Sequence, residues 1–435
     1  MTATIATLIT LLIVLLGAGV WVSLGLFSVG IGGLEIFRDM PIDRQLSISI
    51  WNTVTSESLI ALPLFILMAE IIFRTRLSAS LFNGLAPWVA NLPGGLMHVN
   101  VLGCTMFAAI SGSSAATAAT VGRITLFELS SRGYDRTLAM GSLAGAGTLG
   151  FLIPPSVIMI IYGVLSGTSV LKLFIAGVVP GLLLALSYMG YIAARVVISP
   201  SLVPRERPIV SWEERVKSIF GLGPVAFLIL LVLGSMYGGL ASPTEAAAVG
   251  VFGSVVVSAF QRSLTWENVC DAAMSAVRTI SMVGLIVAAA VFLTQAMAFL
   301  GVPRAVAEQI AALELSAFAL VALLLVFYMI LGCVLEGMSA IVMTLPITLP
   351  LVLAAGYDKI WFGVFLVLVV EMAQITPPVG FNLFVIQTLT GERIGVIARA
   401  AFPFFIIMAI FTMLLTLFPE VVMFLPDRVT LGGGE

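Results

Sequence analysis

Four short stretches interrupt the apolar runs of this chain with groups able to hold an ion or a small solute. They are Ser111-Gly112-Ser113-Ser114, Glu336-Gly337-Met338-Ser339, and the two double-proline segments 150–155 and 373–378, which carry Pro154-Pro155 and Pro377-Pro378. Proline lacks a backbone donor and clashes with the preceding turn, so a helix carrying Pro-Pro must open there. Opened backbone at membrane depth survives only where it lines a polar cavity or binds something. Freed carbonyls and hydroxyls suit a hard cation, and half-helix N-termini attract an anion. If the four breaks meet, they form a site for a cation and a carboxylate. The competing use of the Gly and Ser residues in 111–122 is close helix packing. Four acids, Glu70, Glu245, Glu336 and Glu371, lie within or beside apolar runs, where an ionised side chain costs roughly 3 kcal/mol unless paired or solvated. Glu336 and Glu371 either line the cavity and carry a coupling proton, or bond broken backbone and anchor it.

The elements that hold these groups belong to an all-α polytopic membrane protein. Of 435 residues, 60 % are hydrophobic and only 10 % charged, and mean hydropathy is +1.17. Apolar runs recur at the length needed to cross roughly 30 Å of hydrocarbon. A net charge of -2 offers no basic field for nucleic acid. Cys104, Cys270 and Cys333 are widely spaced, and His98 is the lone histidine, so neither a disulfide framework nor a transition-metal site is indicated. No Gly-Lys dipeptide occurs, which excludes a Walker A loop. A serine protease built on Ser113 would need a base within reach, and only His98 is available, beside Pro93-Gly94-Gly95 at an expected interface. The N-terminus is read as a first membrane helix rather than a cleaved signal.

The chain repeats itself. Gly133-Tyr134-Asp135-Arg136 returns as Gly356-Tyr357-Asp358-Lys359, Pro154-Pro155 as Pro377-Pro378, and Pro180 as Pro403, all at an offset of 223. The first repeat covers 1–198, a polar linker 199–222, and the second repeat 223–435. Each repeat is predicted to contain two apolar helices (about 3–20 and 21–37; 223–240 and 245–261) and an amphipathic arm (about 42–55; 264–278). A full span follows (56–73; 280–300), then a re-entrant hairpin (about 94–128; 315–353), a proline-broken helix (about 137–165; 360–389) and a last helix (170–195; 398–418). With the linker in the cytoplasm, 14 Lys and Arg fall inside and 6 outside, Lys172 and Lys359 among the latter. That bias requires inverted-topology repeats with both termini outside, the first hairpin opening from the cytoplasm and the second from the exterior. Tyr134-Asp135-Arg136 and its copy are expected to cap and anchor helix ends. Trp51, Trp88, Trp212, Trp266 and Trp361 fall near span ends, as interfacial anchors do.

Several motifs along this frame, taken together, resemble one family. They are Ala61-Leu62-Pro63-Leu64-Phe65-Ile66-Leu67-Met68-Ala69-Glu70, Ser111-Gly112-Ser113-Ser114-Ala115-Ala116-Thr117-Ala118, Gly147-Thr148-Leu149-Gly150 through Ile153-Pro154-Pro155-Ser156, and Thr376-Pro377-Pro378-Val379-Gly380. The chain is similar to the large membrane subunit of tripartite ATP-independent periplasmic (TRAP) transporters. The resemblance implies an elevator-type, sodium-driven importer of an organic acid in a bacterial or archaeal inner membrane, with no cofactor besides Na+. It also implies two partners, a periplasmic substrate-binding protein and a small four-helix membrane subunit expected on a separate polypeptide. By motif, the implied sodium-binding residues are Ser111, Ser113, Gly150, Ile153 and Pro155, and Gly337, Ala373, Thr376 and Pro378. Gly112, Ser114, Glu336, Ser339 and Glu371 are placed on the substrate cavity. The alternative reading is a stand-alone sodium/carboxylate symporter of related fold; a channel, with flux independent of sodium, is the further rival.

Overall fold

A computed structural model describes residues 2–38, 41–74, 77–204, 210–311, 315–332, 335–378 and 380–428. Expectations on Arg76, the linker residues Arg205, Glu206, Arg207 and Pro208, Cys333, Val379 and the chain beyond 428 fall outside these residues. The described residues form twenty α-helices and no strand. In the first half these are α1 (Thr2–Gly17), α2 (Val22–Phe37), α3 (Ile42–Val54), α4 (Glu57–Phe73), α5 (Leu77–Val89), α6 (His98–Ser111), α7 (Ser114–Ser131), α8 (Arg136–Gly147), α9 (Val157–Ser166) and α10 (Val170–Ile198). The second half has α11 (Trp212–Tyr237), α12 (Pro243–Phe260), α13 (Trp266–Phe299), α14 (Val302–Ala311), α15 (Ala317–Gly332), α16 (Gly337–Ala354), α17 (Lys359–Gln374), α18 (Phe381–Thr390), α19 (Ile394–Leu417) and α20 (Glu420–Met423). Six of the described helices are long and apolar enough to cross a membrane.

Helix ends follow from local chemistry. Asp135 accepts from the Leu138 amide at 2.7 Å, and its repeat partner Asp358 from that of Ile360 at 2.6 Å. Each is an N-terminal cap of the kind worth about 1 kcal/mol. Ser211 with Glu214 and Ser242 with Glu245 form reciprocal capping boxes. Glu245 is thus an exposed capping acid, and Glu70 pairs with Arg74 at 2.6 Å.

The structure departs from the sequence reading in four places. The second arm and the span after it are one continuous 34-residue helix, α13, whereas α3 and α4 are separate. Thr55 and Ser56 end the first arm, while nothing between Arg278 and Ile280 breaks the second. Two helices, α5 and α14, stand between span and hairpin where none was expected. Trp361 is buried, its indole N–H donating to the Leu415 carbonyl at 3.0 Å, so it is a packing residue and not an interfacial anchor. Trp51, Trp212 and Trp266 are exposed. His98, expected at an interface, is buried against its own loop, its Nε2 lying 2.7 Å from the Pro93 carbonyl.

The opening helices of the two halves pack on each other, α4 against α12 and α2 with α3 against α13. Gln45 Nε2 reaches Gln295 Oε1 at 2.7 Å, and Arg74 reaches Ser275 Oγ at 3.0 Å, fixing arm and span to α13. Hairpins and broken helices pack as a second group across the halves: α7 lies on α18, and α16 on α9. Arg136 at the start of α8 bonds the Thr390 carbonyl at the end of α18 (2.9 Å) and Glu392 (3.1 Å). Tyr162 of α9 donates to the Lys359 carbonyl at the start of α17 at 2.6 Å. The start of each broken helix thus sits beside the later part of the other, and the two run in opposite directions.

Candidate transport site

The first break opens where the sequence places it. Helix α8 ends at Gly147, a tight turn covers Thr148–Gly150, and α9 starts at Val157 under a Ser156 cap. Among the described residues, no backbone amide donates to the carbonyls of Gly150, Ile153 or Pro155. These unpaired oxygens have the chemistry a hard cation takes.

The tip of the first hairpin is seated on this break. Gly112 ends α6 with φ +59°, a left-handed conformation that glycine adopts without strain, and a β-carbon there would lie 2.6 Å from the Pro155 carbonyl oxygen. A β-carbon on Gly150 would lie 2.5 Å from Ser114 Cα and 2.7 Å from the Ser113 carbonyl oxygen. The Val157 amide donates to the Gly112 carbonyl at 3.4 Å, and the Ser111 and Thr117 hydroxyls meet at 2.7 Å across the tip. Of the residues implied for the first sodium site, Ser111, Ser113, Gly150 and Pro155 are drawn together by these contacts, and Ile153 lies within the same break.

The second hairpin repeats the arrangement with different residues. A β-carbon on Gly337 would meet a Val370 methyl, and one on Gly332 the Ala373 methyl, so this hairpin sits on the end of α17. Gly337 and Val370 stand 223 residues after Ser114 and Gly147, the equivalent pair in the first half. Thr376 donates its hydroxyl to the Met372 carbonyl at 2.7 Å, keeping its oxygen lone pairs available. The Ala373 carbonyl already accepts from the Thr376 amide at 3.2 Å, while Pro378 is exposed.

The two acids of the site elements each bond main chain. Glu336 is the N-terminal cap of α16, accepting from the Ser339 amide at 3.3 Å, and it occupies the repeat position of Ser113, the cap of α7. Ser339 itself is buried. Glu371 and Ser114 are both 0 % exposed. They bond each other at 2.8 Å, and Glu371 also accepts from the Phe151 amide at 2.9 Å. Gly112, too, is buried, against the Pro155 carbonyl. Sequence reasoning missed Asn382, which donates to Ser114 Oγ at 2.8 Å and is also fully buried. An amide inside the otherwise apolar start of α18 was the available signal.

Over residues 7–421 the chain matches the family described as the tripartite ATP-independent periplasmic transporter, DctM component. The chain belongs to that family. This DctM-family permease is 35 % identical over 409 residues to the C4-dicarboxylate TRAP transporter large permease protein of Pseudomonas aeruginosa, covering 92 % of this chain and 94 % of that protein. It is 31 % identical over 426 residues to the ectoine/5-hydroxyectoine TRAP transporter large permease protein of Ruegeria pomeroyi, covering 97 % and 98 %. To the sialic acid TRAP transporter permease protein of Haemophilus influenzae it is 29 % identical, covering 88 % of this chain and 63 % of that one. Among solved structures, the YdaH transporter of Alcanivorax borkumensis shares the fold, with a TM-score of 0.60 at 15 % identity and 89 % of each chain covered. The relatives are transporter permease subunits, so the DctM-family chain is a transport protein and not a serine hydrolase.

Proposed function

We propose that the protein is the large membrane subunit of a sodium-coupled importer of an organic acid, delivered by a periplasmic binding protein and served by a small four-helix membrane subunit. The observation that carries this reading is the seating of the first hairpin tip on a break where, among the described residues, no backbone amide donates to the carbonyls of Gly150, Ile153 and Pro155. Ser113, Gly150, Ile153 and Pro155 supply oxygens for sodium there, with Ser111 beside them. Thr376 and Pro378 do so on the second side, near Gly337 and Ala373. A bound sodium ion supplies positive charge beside the N-terminus of α7, where a carboxylate is favoured. The four site elements, 94–128, 137–165, 315–353 and 360–389, contain a single Lys or Arg, Arg123, and it is exposed. A carboxylate therefore has to be held by helix N-termini, hydroxyls and the ion. Relatives named for C4-dicarboxylates and sialic acid fall in that substrate class.

The opposite course of the two broken helices supports inverted repeats, in which hairpins and broken helices move as one unit against the frame of opening helices and arms. In this reading the protein lies in the inner membrane with both termini outside. Two experiments test it. Ser113→Ala, and more severely Pro155→Ala, should raise the sodium concentration for half-maximal uptake severalfold; unchanged sodium dependence in both well-expressed variants would place the site elsewhere. Single cysteines replacing Lys217 and Lys172 should react with an impermeant thiol reagent from opposite sides, the first only from the cytoplasm. Reaction of both from one side would rule out the inverted arrangement.

A further inference from the structure

One buried cluster ties together three segments that the chain keeps far apart. Glu371, on α17 of the second half, bonds the Phe151 amide in the first break and the Ser114 hydroxyl at the first hairpin tip, across separations of 220 and 257 residues. Ser114 also reaches the Gly147 carbonyl at 3.0 Å and accepts from Asn382 at 2.8 Å. Phe151 follows Gly150 directly, so its amide orients the peptide that carries the Gly150 carbonyl. Among the described residues, no ion pair involves Glu371.

We propose that Glu371 is a positioning residue: a strut from the second repeat that locks the first hairpin tip to the first break, acting through hydrogen bonds and not through charge. It touches neither substrate nor ion. Its Oε1 receives the Phe151 amide, and its Oε2 faces a hydroxyl whose single proton is also shared toward the Gly147 carbonyl. A carboxamide at this position keeps the acceptor toward Phe151 and replaces the acceptor toward Ser114 by an N–H donor to the same Oγ, which leaves the Ser114 proton for the Gly147 carbonyl. Glutamine should therefore replace it. Removal of the side chain leaves a buried amide and a buried hydroxyl without that partner, which is the costly outcome for a polar cluster. The strut also places a second-half residue under the first-half site, so the ligand oxygens of one repeat are held by the other. This inference rests on the sodium reading only for its functional consequence.

The test uses the full-length chain with its small subunit in nanodiscs, and reads amide hydrogen exchange in 147–157 together with binding of radioactive sodium. Glu371→Ala should speed exchange in that segment at least tenfold and weaken sodium binding at least fivefold. Glu371→Gln should stay within twofold of the unmodified protein in both. Should Glu371→Ala not yield folded protein, Ser114→Ala removes the hairpin-tip end of the strut together with the bonds to Gly147 and Asn382, keeps every charge and leaves the Phe151 bond in place, and it should show a smaller rise in exchange at 150–152. Unchanged exchange in the alanine variants, or a glutamine variant as disturbed as alanine, would overturn the strut. Absence of sodium binding in the unmodified protein would instead overturn the sodium reading, and the exchange comparison would still decide the strut.

Discussion

A methyl group added at Gly150 should slow transport on the order of a hundredfold while leaving the protein inserted and well expressed. Its β-carbon would lie 2.5 Å from Ser114 Cα and 2.7 Å from the Ser113 carbonyl oxygen. Both are main-chain atoms at the N-terminus of α7, so no rotamer change relieves the contact. Overpacking of this kind typically costs about 1–3 kcal/mol, and here the strain separates the hairpin tip from the break. Misplacement of site groups by about 1 Å can lower a rate on the order of a hundredfold, which is the loss expected for Gly150→Ala in a liposome uptake assay. Gly395→Ala is the matched control, since a β-carbon there meets nothing within 4 Å. Equal uptake by the two variants would mean that the seated tip is not part of the working site.

Uptake by the reconstituted complex should be all-or-none with respect to the binding protein. With the small subunit present and sodium outside, the loaded binding protein in the external medium should give import well above background. The free acid at the same concentration should give none, because docking at the outer surface favours the state in which the site is open to that side. The measurement is initial uptake of a labelled organic acid, chosen by thermal-shift screening of the cognate binding protein against C4-dicarboxylates, 2-oxo acids, sugar acids and sialic acid. Robust sodium-driven import without the binding protein would promote the stand-alone symporter; flux that neither saturates nor responds to sodium would indicate a channel.

The amino-acid sequence by itself determined the breaks and the caps, because their causes are local. Pro154-Pro155 and Pro377-Pro378 open their helices whatever packs around them, and Asp135 and Asp358 cap the helices that begin one residue later. The hairpin tips were legible from Gly112 and from the polar residues at 111–114 and 336–339 within apolar runs. What the sequence left open was which apolar residues face protein and which face lipid. In a membrane protein both surroundings are apolar, so hydropathy carries little information about burial. Trp361 and Trp266 look alike in sequence, yet one is 1 % exposed and the other 82 %. Only the tertiary structure decided that Glu371 meets Phe151 and Ser114, that Asn382 joins them, and that Glu336 caps α16. A carboxylate's role at membrane depth is set by its hydrogen-bond partners, and for Glu371 those lie more than 200 residues away along the chain.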